Sequence, residues 1–220
     1  MNQKTLSLFS DAEQCQSERE ELSPGAVVLH GLACPDEAAI FEALCDITTK
    51  APFRHMITPG GFHMSVALTN CGSYGWVSDR AGYRYDAVDP ESGKRWPLMP
   101  GVFLKLAQDA AISAGFDGFK PDACLVNRYE PGARLSLHQD KNERDFDAPI
   151  VSVSLGVPAV FLWGGSRRED KPLRVQLKHG DVMVWGGPAR LRYHGVLPIK
   201  DSYHPLTGAH RINLTFRKAV

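Results

Sequence analysis

The 220-residue sequence has no excess of charge of either sign, since 25 Lys and Arg offset 25 Asp and Glu. A chain so balanced exerts no global pull on nucleic acid or membrane, so any contact with a polyanion must come from a local patch. Cysteines are few and unpatterned: Cys15, Cys34, Cys45, Cys71 and Cys124 are odd in number, scattered, and form no C-x-x-C. That argues against a disulfide framework or a Cys-based zinc site and fits a reducing, cytoplasmic setting. No run approaches the roughly 20 apolar residues of a membrane span, and no long apolar stretch follows Met1-Asn2-Gln3-Lys4, so neither a membrane partner nor a signal peptide is expected. Internal repeats are absent too. What remains is a chain with 43% hydrophobic residues, enough to build the core of one domain.

Residues 1–24 are polar and read as a flexible N-terminal arm, leaving 25–220 as a single domain. Ala26–His30 reads as a strand. Pro35-Asp36-Glu37 opens a helix, with Ala39, Ile40, Leu44 and Cys45 at helical spacing. Residues 51–99 are rich in Gly, Pro and aromatics, with short strand-like pieces at Met64–Leu68 and Gly75–Ser78. A second helix follows over Gly101–Ala114, its stripe made by Phe103, Leu104, Ala107, Ala110, Ala111 and Ala114 and its end marked by Gly115. From there the pattern is β: Ile150–Gly156, Ala159–Trp163, Leu173–Leu177 and Asp181–Trp185 are punctuated by Gly-rich turns. About seven short strands after two helices predict a mainly β fold with flanking helices, a double-stranded β-helix or jelly roll.

Chemistry concentrates at His138-Gln139-Asp140. On an extended strand, side chains at i and i+2 share a face, so His138 and Asp140 can grip one ion while His194 arrives from a distant strand. Two imidazoles and a carboxylate leave coordination positions open, as in the facial triad of non-haem Fe(II) oxygenases. A zinc enzyme can use the same donors, and a His-x-Asp by itself also describes a surface His beside a turn Asp. The other end of the chain shifts the balance. In Arg211–Arg217 the polar Arg211, Asn213, Thr215 and Arg217 alternate with Ile212, Leu214 and Phe216. If both faces of that strand are covered, its polar face needs an anion to satisfy it. Two planar guanidinium forks suit a diacid with two carboxylates. Asn127 and Tyr129, again at i and i+2, share one face just ahead of the His-x-Asp.

Taken together, His138-Gln139-Asp140, His194, Asn127-x-Tyr129 and Arg211-x-Asn213-x-x-x-Arg217 resemble the AlkB family of Fe(II)/2-oxoglutarate dioxygenases. The resemblance runs from about Gly25 to Arg217 and includes Met64-Ser65-Val66, Thr69-Asn70-Cys71-Gly72, Pro121-Asp122-Ala123-Cys124 and Gly180-Asp181-Val182. It implies a jelly-roll core over about 120–217 and an N-terminal nucleotide-recognition lid over about 51–99. It implies Fe(II) on His138, Asp140 and His194, with 2-oxoglutarate and O2 at the remaining positions. Arg211 would hold the far carboxylate of the cosubstrate, helped by Tyr129 and Asn213, with Arg217 and Asn127 toward its keto-acid end. The implied reaction removes methyl groups from bases such as 1-methyladenine and 3-methylcytosine, releasing formaldehyde, succinate and CO2. The implied partner is alkylated DNA, with the single strand the expected form, RNA an open alternative, and a monomer the acting unit.

By the same resemblance Trp76 and Tyr83 belong to the lid, Trp76 stacking on the extruded base, and Arg168 lies near the lesion. Lys141, Arg144, Arg167, Lys171 and Arg174 cluster with it in sequence and suit phosphate contacts. One position departs from the family pattern. An acidic residue is expected two places after the ligand aspartate, where this chain has Asn142; Glu143, on a strand, would face away. The six remaining histidines are expected to be structural or on the surface, His179 bonding locally at its turn. Two other readings fit parts of the pattern: an Fe(II)/2-oxoglutarate hydroxylase of a protein or small molecule, and a non-catalytic, metal-holding cupin-like protein. The paired arginines weigh against the second, which has no use for a buried diacid clamp.

Overall fold

The computed structural model describes residues 18–220. It opens with an antiparallel pair, β1 (Arg19–Ser23) and β2 (Ala26–Leu29). Gly25 makes the turn at φ +80, where a Cβ would sit 2.5 Å from the Gly186 carbonyl oxygen, so only glycine fits there. The end of the expected N-terminal arm is therefore an edge strand. Its side chains are mostly polar and exposed, with only Leu22 packed partly against the core; backbone bonds to β2 hold it, and its charges suit a sheet edge. Residues 1–17 of that arm lie outside the described residues.

A turn of 3-10 helix at Cys34–Asp36 leads into α1 (Glu37–Lys50), which buries Ile40, Leu44 and Ile47. Then come β3 (Ala67–Gly72), the hairpin β4 (Gly75–Asp79) and β5 (Gly82–Asp86), and α2 (Gly101–Ser113). The rest is β: β6 (Ala123–Tyr129), β7 (Leu135–His138), β8 (Ile150–Gly156), β9 (Ala159–Trp163), β10 (Leu173–Leu177), β11 (Val182–Trp185), β12 (His194–Val196) and β13 (Arg211–Arg217).

Among the described residues these strands make a large antiparallel sheet in the order β1-β2-β11-β8-β13-β6-β3, a smaller one ordered β10-β9-β12-β7, and the separate hairpin β4-β5. This is the jelly roll that the strand spacing predicts, with the helices on the outer face of the large sheet. Every second residue of β8 and β13 (Val151, Val153, Leu155, Leu214 and Phe216) packs in one apolar cluster with Phe103 and Ala107 of α2 and Ile40 of α1. Phe103 and Phe216 meet edge-on at 5.9 Å, and burying each such ring is worth about 1.5–3 kcal/mol. The opposite face of the same strands looks into the space between the sheets. β13 is therefore no solvated edge strand. It lies between β8 and β6 with both faces covered, and its polar residues point inward.

Two further findings depart from the sequence reading. β3, inside the stretch 51–99, joins the large sheet beside β6, so β4 and β5 alone form a separate hairpin there. His179 does not bond locally: its Nδ1 accepts the Gly156 N–H at 3.0 Å and its Nε2 faces Glu37 Oε2 at 3.0 Å. That bond braces Gly156 (φ +83), where a Cβ would overlap the Thr207 hydroxyl at 2.2 Å.

Candidate active site

A cavity of about 740 Å³ opens between the two sheets and the β4-β5 hairpin. His138 closes β7 and His194 opens β12, and the two are direct cross-strand partners, with ring centres 4.4 Å apart. Asp140 lies just past the end of β7. Its Oδ1 is 3.6 Å from His138 Nε2 and its Oδ2 is 3.7 Å from His194 Nε2. The donor atoms of all three lie within 4.8 Å of one another, the single such group among the described residues. Each imidazole is turned by a backbone carbonyl: His138 Nδ1 lies 2.8 Å from Ser136 O, and His194 Nδ1 3.0 Å from Arg192 O. A carbonyl only accepts, so both Nδ1 atoms carry the hydrogen and both Nε2 lone pairs face Asp140.

Electrostatics favour a cation here. Burial, helped by the nearby His138, holds His194 down at a pKa of about 4, so it is neutral and able to ligate near pH 7. Burial alone would push Asp140 up, but Arg217 and then the two histidines outweigh it and hold the carboxyl below its ordinary value. Arg217 donates to Asp140 Oδ2 from Nε at 3.0 Å and from Nη2 at 2.7 Å. Two imidazoles and one ionised carboxylate suit a divalent transition metal with open positions.

The inward face of β13 supplies the rest. Arg211 is 1% exposed. Its Nη2 donates to Ser154 Oγ at 3.0 Å and its guanidinium carbon lies 5.0 Å from the centre of the Tyr129 ring. Its Nε and Nη1 have no partner. Two unmatched buried N–H groups on a cation are costly, and an anion in the cavity would satisfy them. Asn213 is fixed by Ser152 Oγ and Val153 O, both at 2.8 Å, and Asn127 Nδ2 reaches its Oδ1 at 3.5 Å. Asn127, Tyr129, Arg211, Asn213 and Arg217 all line the cavity, so register brings together every residue expected at the diacid site. Arg217 is the exception in its bonds, being engaged with Asp140.

At the mouth, Trp76 and Tyr83 stack with ring centres 5.5 Å apart. Asn70 holds the Trp76 backbone by two 3.0 Å bonds. The Trp76 indole N–H donates to Asn142 Oδ1 at 3.3 Å. Arg168 donates from Nη2 to Leu137 O and lies over the Tyr193 ring at 5.8 Å. Lys141 and Arg168 line the cavity, whereas Arg167 is paired with Glu169.

Sequence reasoning missed several members. Ser152 and Ser154 are legible in Val151-Ser152-Val153-Ser154-Leu155, once β8 is known to pair with β13. Glu143 is not, because the alternation rule assumes a strand and residues 139–149 form none. Instead its buried carboxylate bonds to Tyr85 and Arg190.

A sequence profile of the 2OG-Fe(II) oxygenase superfamily matches residues 25–217. The chain is 54% identical to the alpha-ketoglutarate-dependent dioxygenase AlkB of Salmonella typhimurium over 98% of both chains. It is 54% identical to the AlkB of Escherichia coli, over 97% of this chain and 98% of that one. The solved structure of OsALKBH1 superposes with a TM-score of 0.80 at 31% identity, covering 91% of this chain and 100% of the other.

Proposed function

The chain belongs to the 2OG-Fe(II) oxygenase superfamily, and from that premise we propose that it removes methyl groups oxidatively from alkylated bases in nucleic acid, releasing formaldehyde, succinate and CO2. It is an Fe(II)/2-oxoglutarate-dependent dioxygenase. The observation that carries the reading is the His138, Asp140 and His194 cluster facing a buried Arg211 with two unpartnered N–H groups.

His138, Asp140 and His194 hold the iron. When bound, iron and 2-oxoglutarate together supply the oxidant from O2. The protein's part is orientation. Arg211, with Tyr129 and Asn213, clamps the far carboxylate of the diacid. Asn127 and Arg217 lie toward its keto-acid end, where Arg217 also fixes the rotation of Asp140. Burial holds the Tyr129 hydroxyl above its ordinary pKa, so it stays neutral and able to donate. Within the stretch 51–99 the β4-β5 hairpin acts as the lid, β3 belonging to the large sheet, and about 120–217 is the catalytic core. Trp76 and Tyr83 provide the surface on which a flat base stacks, and Arg168 and Lys141 offer charge for the phosphates beside it. A monomer acting on single-stranded DNA completes the proposal. No helix among the described residues is long and apolar enough to cross a membrane.

The test is a demethylation assay on 1-methyladenine, 3-methylcytosine and 3-methylthymine in single- and double-stranded DNA and in RNA. Methylated oligonucleotide should raise succinate release and yield formaldehyde in equal amount. No rise with any of them would move the substrate to a protein or small molecule.

Two side chains refine the expectation. Removing the Trp76 ring should cost about 1–3 kcal/mol of base binding, as for other base–aromatic stacks. Succinate formation without oligonucleotide should survive in Trp76→Ala, because iron and cosubstrate contacts are untouched; its loss would place Trp76 in the cosubstrate site. Asn142 bears on lesion choice. An indole N–H only donates, so the Asn142 oxygen faces Trp76 and its NH2 is left for the cavity. With a neutral donor there, preference for cationic lesions should be weaker than an aspartate would give. Asn142→Asp should raise kcat/KM for 3-methylcytosine relative to 3-methylthymine. An exposed charge pair is worth about 0–1 kcal/mol, up to about fivefold in the ratio. An unchanged ratio would mean that position 142 does not face the lesion.

A further inference from the structure

Behind the cavity, Glu143, Arg190 and Tyr85 join Asp140 and Arg217 of the site in one closed set of interactions. Glu143 has a side chain only 2% exposed, and neither it nor Tyr85 lines the cavity. Its Oε1 accepts the Tyr85 hydroxyl at 2.5 Å, and its Oε2 accepts Arg190 Nη2 at 3.1 Å. Arg217 Nε lies 3.5 Å from Oε1 while the same guanidinium holds Asp140. Arg190 closes the ring, donating from Nη1 to the Asp140 carbonyl at 2.8 Å and from Nε to Ala148 O at 3.1 Å. Two carboxylates and two guanidiniums thus balance, and none of their atoms is among the unpartnered buried ones of the described residues. Breaking one member of such a network leaves an unmatched buried charge, so its parts move together.

The hydroxyl member comes from elsewhere in the fold. Tyr85 sits on β5, directly across from Trp76 on β4. One hairpin therefore presents Trp76 to the cavity and reaches back through Tyr85 to Glu143, Arg217 and Asp140.

We propose that Tyr85 and Glu143 are positioning residues that tie the β4-β5 hairpin to Asp140, so that occupation of the metal site stiffens the hairpin and a settled hairpin fixes the metal ligand. Coupling of this kind is reciprocal. Its consequence for base recognition rests on the function proposed above; the coupling itself does not, and its test contains no nucleic acid.

The test is amide hydrogen exchange across residues 75–86 of the full chain, with and without Zn(II) as a redox-inert probe, each sample shown by calorimetry to be saturated. In the parent protein, metal should slow exchange of the hairpin by roughly fivefold or more. Tyr85→Phe keeps the ring and loses only the hydroxyl. In that variant the metal-dependent slowing should vanish, whatever the absolute rates. A purely structural bond would speed exchange equally in both samples and leave their ratio intact. Glu143→Gln keeps an acceptor for Tyr85 but loses the charge facing Arg217, and should diminish the slowing as well. Equal slowing in the parent and Tyr85→Phe, or none in the parent, would overturn the coupling. Failure of the demethylation panel alone would leave it standing.

Discussion

Replacing Arg211 by Ala is expected to raise the apparent KM for 2-oxoglutarate far more than it changes the affinity for oligonucleotide. The guanidinium is 1% exposed and two of its N–H groups are unpartnered. It is thus a buried charge waiting for a counter-ion. Losing a charge-assisted contact of that kind costs roughly 2–5 kcal/mol, or about 30-fold to several thousand-fold in affinity. The cosubstrate-free protein gives a second reading. Arg211→Met keeps most of the stem and removes the unmatched charge, so its thermal stability without 2-oxoglutarate should hold or rise, while the stabilisation conferred by 2-oxoglutarate should disappear. An Arg211→Ala enzyme with unchanged cosubstrate dependence would place the diacid elsewhere.

His138→Ala should abolish turnover and stoichiometric iron binding together. The ligand set has three members, so losing one leaves a His and a carboxylate, too few to hold Fe(II) against buffer and water. Folding should survive, because the His138 side chain is 33% exposed and its Nδ1 bond to Ser136 is local. Metal content and succinate release should be measured on the same preparation. Full activity with one iron still bound would remove His138 from the centre. An active variant with little iron would mean that another metal does the chemistry.

Much of this was readable in the residue order because strand periodicity is a rigid code. The alternation in Arg211–Arg217 identified which side chains share a face, and that face does line the cavity. That strand's central place was not readable, since it depends on pairings with β8 and β6 that no local pattern contains. The triad was readable as types and spacing, although Asp140 lies beyond the strand that was to orient it. Glu143 does turn away from the cavity that Asn142 lines, as expected, but residues 139–149 form no strand, and its buried partners Tyr85 and Arg190 could not be read from residue order. Tyr85 was indistinguishable from the other lid aromatics, because only its hydroxyl's buried partner sets it apart. In β1, backbone hydrogen bonding outweighed an unpromising polar sequence.

The position of β13 also bears on how the protein is made. Of the described strands it is the last to be synthesised, yet it fills the slot between β8 and β6. Until Arg211–Arg217 emerges from the ribosome, the nascent sheet has a gap flanked by two unpaired strand edges, the kind of surface that invites wrong pairing. The strand that closes this gap also delivers both arginines. A chain stalled just short of it would carry His138, Asp140 and His194 but neither arginine. Completion of the sheet and the arrival of both inward arginines in the cavity are a single event in the life of each molecule.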